Sequence, residues 1–136
     1  MSIAVLRISI DTGLLILIWI VQLIIYPSFH RMQPEGFVAW HADYMRRISW
    51  IVGPLMLGQV AVLGWQLLRG VHWHIVFSLL AVAGCWFVTW RYSVPCHETL
   101  QKQGWSAETI TQLVRSSWAR TLLWTLTWVL AWKSMG

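Results

Sequence analysis

The sequence contains little charge, and this deficit decides its class. Only 11% of its 136 residues are charged, whereas 57% are hydrophobic. Soluble domains carry roughly 25% charged residues, and a soluble domain this short could not bury so much apolar surface. We therefore expect an integral membrane protein. The twelve tryptophans fit this expectation, because many lie near the ends of apolar segments, where membrane proteins carry an aromatic belt.

Cysteine is also scarce. Cys85 lies within an apolar segment and Cys96 follows that segment. Eleven residues of helix separate two positions by roughly 16 Å, which is too far for a disulfide within one straight helix. A small-residue cleavage pattern is absent after the first apolar run, so we expect a retained helix rather than a signal peptide.

Four apolar segments predict an all-α fold, a four-transmembrane-helix bundle whose helices extend beyond the membrane on the cytoplasmic side. About 20 residues of helix cross a hydrocarbon core. We expect a single domain over residues 1–136, with helices at about 3–27, 35–69, 72–101 and 107–132. Pro34 suits the first turn of the second helix, Gly70 and Gly104 suit helix ends, and Ser106 suits the N-cap of the fourth helix.

Positive charge is unevenly divided between the two ends of the helices. Seven basic residues belong to the first and third loops and their adjoining helix ends: Arg31, Arg46, Arg47, Arg91, Lys102, Arg115 and Arg120. Three lie on the opposite side: Arg7, Arg69 and Lys133. The positive-inside rule then predicts a bacterial-type inner-membrane protein with loops one and three in the cytoplasm. Since these charges form no basic stripe, we expect membrane lipid and no nucleic acid as a partner.

The residues with acid–base chemistry gather on the predicted cytoplasmic side. His41 and Tyr44 share one face of the second helix, and Arg47 lies nearby, so this set can bind an anion or transfer a proton. His97 begins a polar stretch directly after an apolar helix. Arg120 lies inside the fourth helix, where a guanidinium usually faces a partner or a cavity. The alternative is an interfacial position with snorkelling side chains.

Three histidines share this side: His30, His41 and His97. Three imidazoles could form a transition-metal site, with Glu98 or Asp43 as an oxygen ligand. The sequence has no His-Glu-x-x-His or Cys-x-x-Cys spacing, so the metal hypothesis depends on shared sidedness alone. Haem between facing helices is a less favoured cofactor, because most histidines lie near helix ends.

Four short motifs recur in a known pattern: Tyr26-Pro27-x-x-His30, Trp40-His41-x-x-Tyr44-x-x-Arg47, Val94-Pro95-x-His97-x-x-Leu100 and Trp118-x-Arg120-Thr121-Leu122-x-Trp124. This pattern resembles the small four-helix membrane proteins grouped with the anthrone-oxygenase-like domain, and the resemblance covers most of the chain. It implies oxygen-dependent oxidation of an aromatic or quinol-like substrate. By position, His97, Trp118 and Arg120 match the late polar motif of the family, and His30 and His41 match its first-loop positions.

Three functions follow from these features. The first is a small membrane oxidoreductase or oxygenase with a His/Tyr/Arg pocket at the cytoplasmic helix ends that binds a lipophilic small molecule. The second is a haem- or quinone-linked redox protein. The third is a non-catalytic transporter or partner subunit. Four short helices enclose little volume and show no inverted repeat, so transport would require a homo-oligomer.

Overall fold

Four long helices form the protein in a computed structural model, which describes residues 2–136. They are α1 (Ile3–Phe29), α2 (Phe37–Arg69), α3 (Trp73–Gln103) and α4 (Ala107–Ala131), and a short 3-10 turn, Trp132–Ser134, follows α4. Residues 2–136 contain no strand. The predicted all-α fold with four helices is confirmed.

Three residues in the connections determine where the helices begin and end. Gly36 has a φ of 79°, in the left-handed region that glycine adopts without steric cost. For this reason α2 begins directly after Gly36 rather than at Glu35, where the sequence suggested its start. Gly104, with a φ of 90°, ends α3. Ser106 caps α4, because its hydroxyl oxygen accepts a hydrogen bond from the Thr109 N–H at 3.3 Å.

Two helices widen into a π-helical turn shortly before a proline. The wide turns are Val21–Ile25 in α1 and Thr89–Ser93 in α3, and Pro27 and Pro95 follow them. Proline lacks an N–H, and its ring clashes with the carbonyl one turn earlier. A π turn relieves this conflict without ending the helix. Both wide turns border the cavity described below, so they help to position its polar side chains.

Three helices, α1 to α3, are long and apolar enough to cross a membrane. This supports an integral membrane protein. Helix α4 has 25 residues but a more polar sequence than the others, because it contains two arginines and several serines and threonines. Most of its inward polar groups are buried, among them Ser117, Arg120, Thr121 and Thr127. The polar face of α4 therefore points into the bundle, where it packs against α1 and α3.

A buried ion pair anchors the end of the bundle that carries the termini. Arg7 Nε lies 3.2 Å from Asp11 Oδ2, and both side chains are 1% exposed. The two residues are one helical turn apart in α1, and their further partners come from the other helices. Gln59 Nε2 donates to Asp11 Oδ1 at 2.8 Å. Arg7 donates to Ser78 Oγ at 2.6 Å and to the Thr127 carbonyl at 3.3 Å. All four helices thus meet around one buried charge pair.

Candidate functional site

A cavity of about 360 Å³ lies mainly between α2 and α3, on the side of loops one and three. Most of its wall is apolar, and side chains of α1 and α4 complete it. Its polar end is formed by Tyr26, His97 and Arg120. The sequence predicted His97 and Arg120 as site residues, and both line the cavity together with Tyr44. Arg47 is exposed and does not line it.

Five side chains form a continuous hydrogen-bonded row at this polar end, which we call the relay: Arg120, Tyr26, His97, His41 and Gln101. Arg120 Nη2 donates to the Tyr26 hydroxyl at 3.3 Å, and that hydroxyl lies 3.0 Å from His97 Nε2. His97 Nδ1 lies 2.9 Å from His41 Nε2. His41 Nδ1 lies 2.9 Å from Gln101 Oε1. All four helices supply a member, so the relay exists only in the folded bundle.

The proton positions along the relay follow from its outer end. Gln101 Nε2 donates to the Val38 carbonyl at 3.4 Å, so Oε1 faces His41 and can only accept. His41 Nδ1 must therefore carry a proton, and in a neutral ring Nε2 is then the acceptor. His97 in turn donates from Nδ1 and accepts at Nε2. The Tyr26 hydroxyl consequently donates to His97, and every bond in the relay has the same direction.

Aromatic rings hold the histidine pair, His41 and His97, in place. His41 is completely buried and His97 is 7% exposed. The two imidazoles lie within 23° of one plane with centroids 5.1 Å apart, edge to edge as their shared hydrogen bond requires. Phe37 stacks on His41 at 5.3 Å. Phe29 and Tyr26 approach the pair from α1 with their ring edges. The imidazoles are thus confined by packing and by hydrogen bonds at all four ring nitrogens, which fixes their orientation.

Arg120 is buried without a counter-charge. It is 6% exposed, and neither of the two ion pairs found among residues 2–136 includes it. The two carboxylates considered from the sequence lie elsewhere, since Glu98 is exposed and Asp43 pairs with Arg46. Thr89 Oγ1 accepts a bond from Arg120 Nη1 at 3.4 Å. A buried cation without an anion is costly, so this end of the cavity suits a ligand with a negatively charged oxygen.

Three residues that line the cavity also have a polar side-chain atom without a hydrogen-bond partner. Within the described part of the chain, Arg120 Nε, Ser93 Oγ and Trp86 Nε1 are buried and have no hydrogen-bond partner. All three residues line the cavity. A buried polar group without a partner is destabilising by about 1–3 kcal/mol, so a ligand that supplies oxygen acceptors would be favoured. Arg120 Nε and Trp86 Nε1 can only donate a hydrogen bond, whereas the Ser93 hydroxyl can donate or accept one.

The expected three-histidine metal site does not form. His30 is exposed and lies at 3.4 Å from Thr111 Oγ1, apart from the histidine pair. Within residues 2–136, no group of three His, Cys, Asp or Glu side chains is arranged to hold a metal ion. Two nitrogens on one tetrahedral zinc, each about 2.0–2.1 Å from it, would be about 3.3 Å apart. The 2.9 Å contact between the facing nitrogens of His41 and His97 is instead a hydrogen bond, and it leaves no room for haem iron between the rings.

Sequence reasoning missed two members of the relay. Tyr26 lies in the motif Tyr26-Pro27-x-x-His30, which was noted for its histidine rather than for its phenol. Gln101 follows the polar stretch that starts at His97, and no sequence signal distinguishes it from other interfacial glutamines. Tyr44, which the sequence placed with His41 and Arg47 in a set able to transfer a proton, instead stacks on Trp40 with ring centroids 5.5 Å apart.

Comparison with known proteins found no matching family model, no matching curated protein and no matching solved structure. What the site can do therefore follows from its own groups. These are an apolar chamber, a buried guanidinium without a counter-charge, and a relay of three titratable rings behind it.

Proposed function

We propose that this protein is a small integral membrane oxidoreductase or oxygenase that binds a lipophilic hydroxylated ring, of the aromatic or quinol type, in the cavity beside Arg120. This proposal rests on the relay, which joins a buried guanidinium without a counter-charge to a buried histidine pair. A ring hydroxyl that ionises there would supply the missing negative charge, and the relay would take up its proton. The apolar walls suit the ring itself.

The proton moves along the relay without any side chain changing place. The substrate hydroxyl gives its proton to the Tyr26 oxygen while Tyr26 passes its own proton to His97 Nε2. His97 Nδ1 passes a proton to His41 Nε2, and Gln101 Oε1 stabilises the imidazolium that results. The oxyanion stays beside Arg120. For a quinol, two electrons and two protons leave the ring, and dioxygen, the oxidant implied by the family resemblance, becomes hydrogen peroxide.

We also propose that all four helices cross the membrane, with loops one and three in the cytoplasm. Helix α4 is long enough to span, and the bundle interior shields its polar face. Arg7 and Arg120 are buried inside the bundle, so we leave them out of the count of basic residues on the two sides of the membrane. Six basic residues then remain on the loop side and two on the other. The excess of four basic residues on the loop side is unchanged, so the positive-inside rule still favours the same orientation.

The test uses purified protein in lipid nanodiscs, mixed with anthrone or with a substituted hydroquinone. Ring binding is measured by equilibrium dialysis, and oxidation by oxygen uptake together with the absorbance of the quinone product. We expect both in the natural protein. Arg120→Ala should remove binding of the ionised ring, because the oxyanion loses its only buried cation, and Arg120→Lys should restore part of it.

Arg115→Ala is the matched control, since Arg115 is an exposed arginine in the same helix. It should bind and oxidise the ring as the natural protein does. Equal losses in Arg115→Ala and Arg120→Ala would contradict a site at Arg120. Absence of binding for every hydroxylated ring, with the protein folded, would contradict the proposed function itself.

A further inference from the structure

A second, apolar groove continues the cavity along the surface between α2 and α3. The groove has a volume of about 600 Å³. Leu57 and Trp86 line both spaces, so the groove begins where the cavity ends. Its other lining side chains are all aliphatic and include Val60, Leu79 and Ala83. Cavity and groove thus form one elongated space with a polar end and an apolar end.

The length of this space exceeds that of a ring. His97, at the polar end, and Leu79, at the apolar end, are 18 residues apart on α3, which corresponds to about 27 Å at 1.5 Å per residue. A hydrocarbon core is about 30 Å thick. The two spaces together are therefore nearly as long as a hydrocarbon core is thick, and a ring fills only the part nearest Arg120.

The groove is open toward the surroundings of the bundle. Ala61 and Ala83 are exposed, and their small side chains form a shallow floor. Both lie in helices that are apolar enough to cross a membrane. The groove consequently faces hydrocarbon rather than water, and a hydrocarbon chain can enter it sideways from the bilayer.

We propose that the groove binds the long hydrocarbon chain, prenyl or alkyl, of the same molecule whose hydroxylated ring lies in the cavity. This inference rests on the proposed function and names its substrate class: a membrane-dissolved, chain-bearing quinol-type lipid. Leu57 and Trp86 line both the cavity and the groove, so the two spaces are continuous. A single molecule with a ring and an attached chain would fill both spaces, whereas a separate bilayer lipid would fill only the groove.

The test is anaerobic photolabelling in nanodiscs with a substituted hydroquinone that carries a ten-carbon alkyl chain with a terminal diazirine. Labelled peptides are identified by mass spectrometry, with and without an excess of the same ring lacking the chain. We expect label on the α2 and α3 segments around Ala61 and Ala83, and loss of that label when the chain-free ring competes. Ala61→Trp and Ala83→Trp should lose the groove label while the chain-free ring still binds.

Ala119→Trp is the control, since Ala119 is exposed on α4 and lines neither space. It should be labelled as the natural protein is. Label spread evenly over lipid-facing residues, without competition by the chain-free ring, would overturn the assignment of the groove while leaving ring binding intact. Failure of the chain-free ring to bind at all would instead overturn the proposed function.

Discussion

Replacing Tyr26 by Phe removes one hydroxyl from the middle of the relay and preserves the packing of the ring. That hydroxyl lies 3.0 Å from His97 Nε2 and 3.3 Å from Arg120 Nη2. A neutral hydrogen bond contributes about 0.5–1.5 kcal/mol and one to a charged group about 1.5–3 kcal/mol. Tyr26→Phe should therefore lower the free energy of unfolding by about 2–4.5 kcal/mol. Turnover should fall by about 10²–10⁴, the usual contribution of a positioned proton-transfer group.

The assay compares Tyr26→Phe with Tyr44→Phe. Tyr44 also lines the cavity but takes no part in the relay. Thermal unfolding in nanodiscs gives the stability change, and oxygen uptake with a hydroquinone gives the rate. Tyr44→Phe should keep near-natural stability and most of its turnover. Natural turnover in Tyr26→Phe, together with its loss in Tyr44→Phe, would refute the relay and restore the phenol that the sequence favoured.

Three further perturbations test separate parts of the structure. Asp11→Asn leaves the buried Arg7 guanidinium without its carboxylate and should lower the free energy of unfolding by about 3–5 kcal/mol. Asp43→Asn breaks a pair whose side chains are 64% and 59% exposed, so it should lower the free energy of unfolding by less than about 1 kcal/mol. Equal losses in thermal unfolding would contradict the structural role of the buried pair. Gly53→Phe should abolish ring binding without loss of stability, because Gly53 lines the cavity and no atom lies within 4 Å of the position of a Cβ there. Gly64→Phe, equally open but outside both spaces, should bind normally, and retained binding in both variants would count against the cavity. In ¹⁵N NMR spectra the histidine pair should show protonated Nδ1 and unprotonated Nε2 in the natural protein, and Gln101→Leu should lose this single tautomer; protonated Nε2 in the natural protein would contradict the direction of the relay.

The helices could be predicted because their signals are local. Long apolar runs give the number of helices, and Gly104 and Ser106 mark the boundary between α3 and α4 through their own backbone and capping preferences. Where the prediction departs from the structure, the deciding residue is also local. Pro34 suggested a helix start at about residue 35, but Gly36 adopts a left-handed conformation, so α2 begins only after Gly36.

The site could be predicted only in part. The sequence favoured His41, His97 and Arg120 because charged and titratable groups are rare in apolar helices, and the three are joined through the relay. It also favoured His30, which shares the same side of the bundle but not the same position on it. The side of the membrane on which a residue lies gives only its height along the bundle axis. Whether two side chains at the same height meet depends on how each helix is rotated about its own axis.

The sequence by itself determined that this is an apolar, all-α chain of four helices, because composition and local periodicity carry that information. Only the tertiary structure decided which polar groups meet. Tyr26 from α1 bridges Arg120 on α4 and His97 on α3, and Arg7 joins all four helices at the opposite end. These contacts depend on helix rotation and on the π turns before Pro27 and Pro95, which are set by packing across the whole bundle rather than by any short stretch of chain.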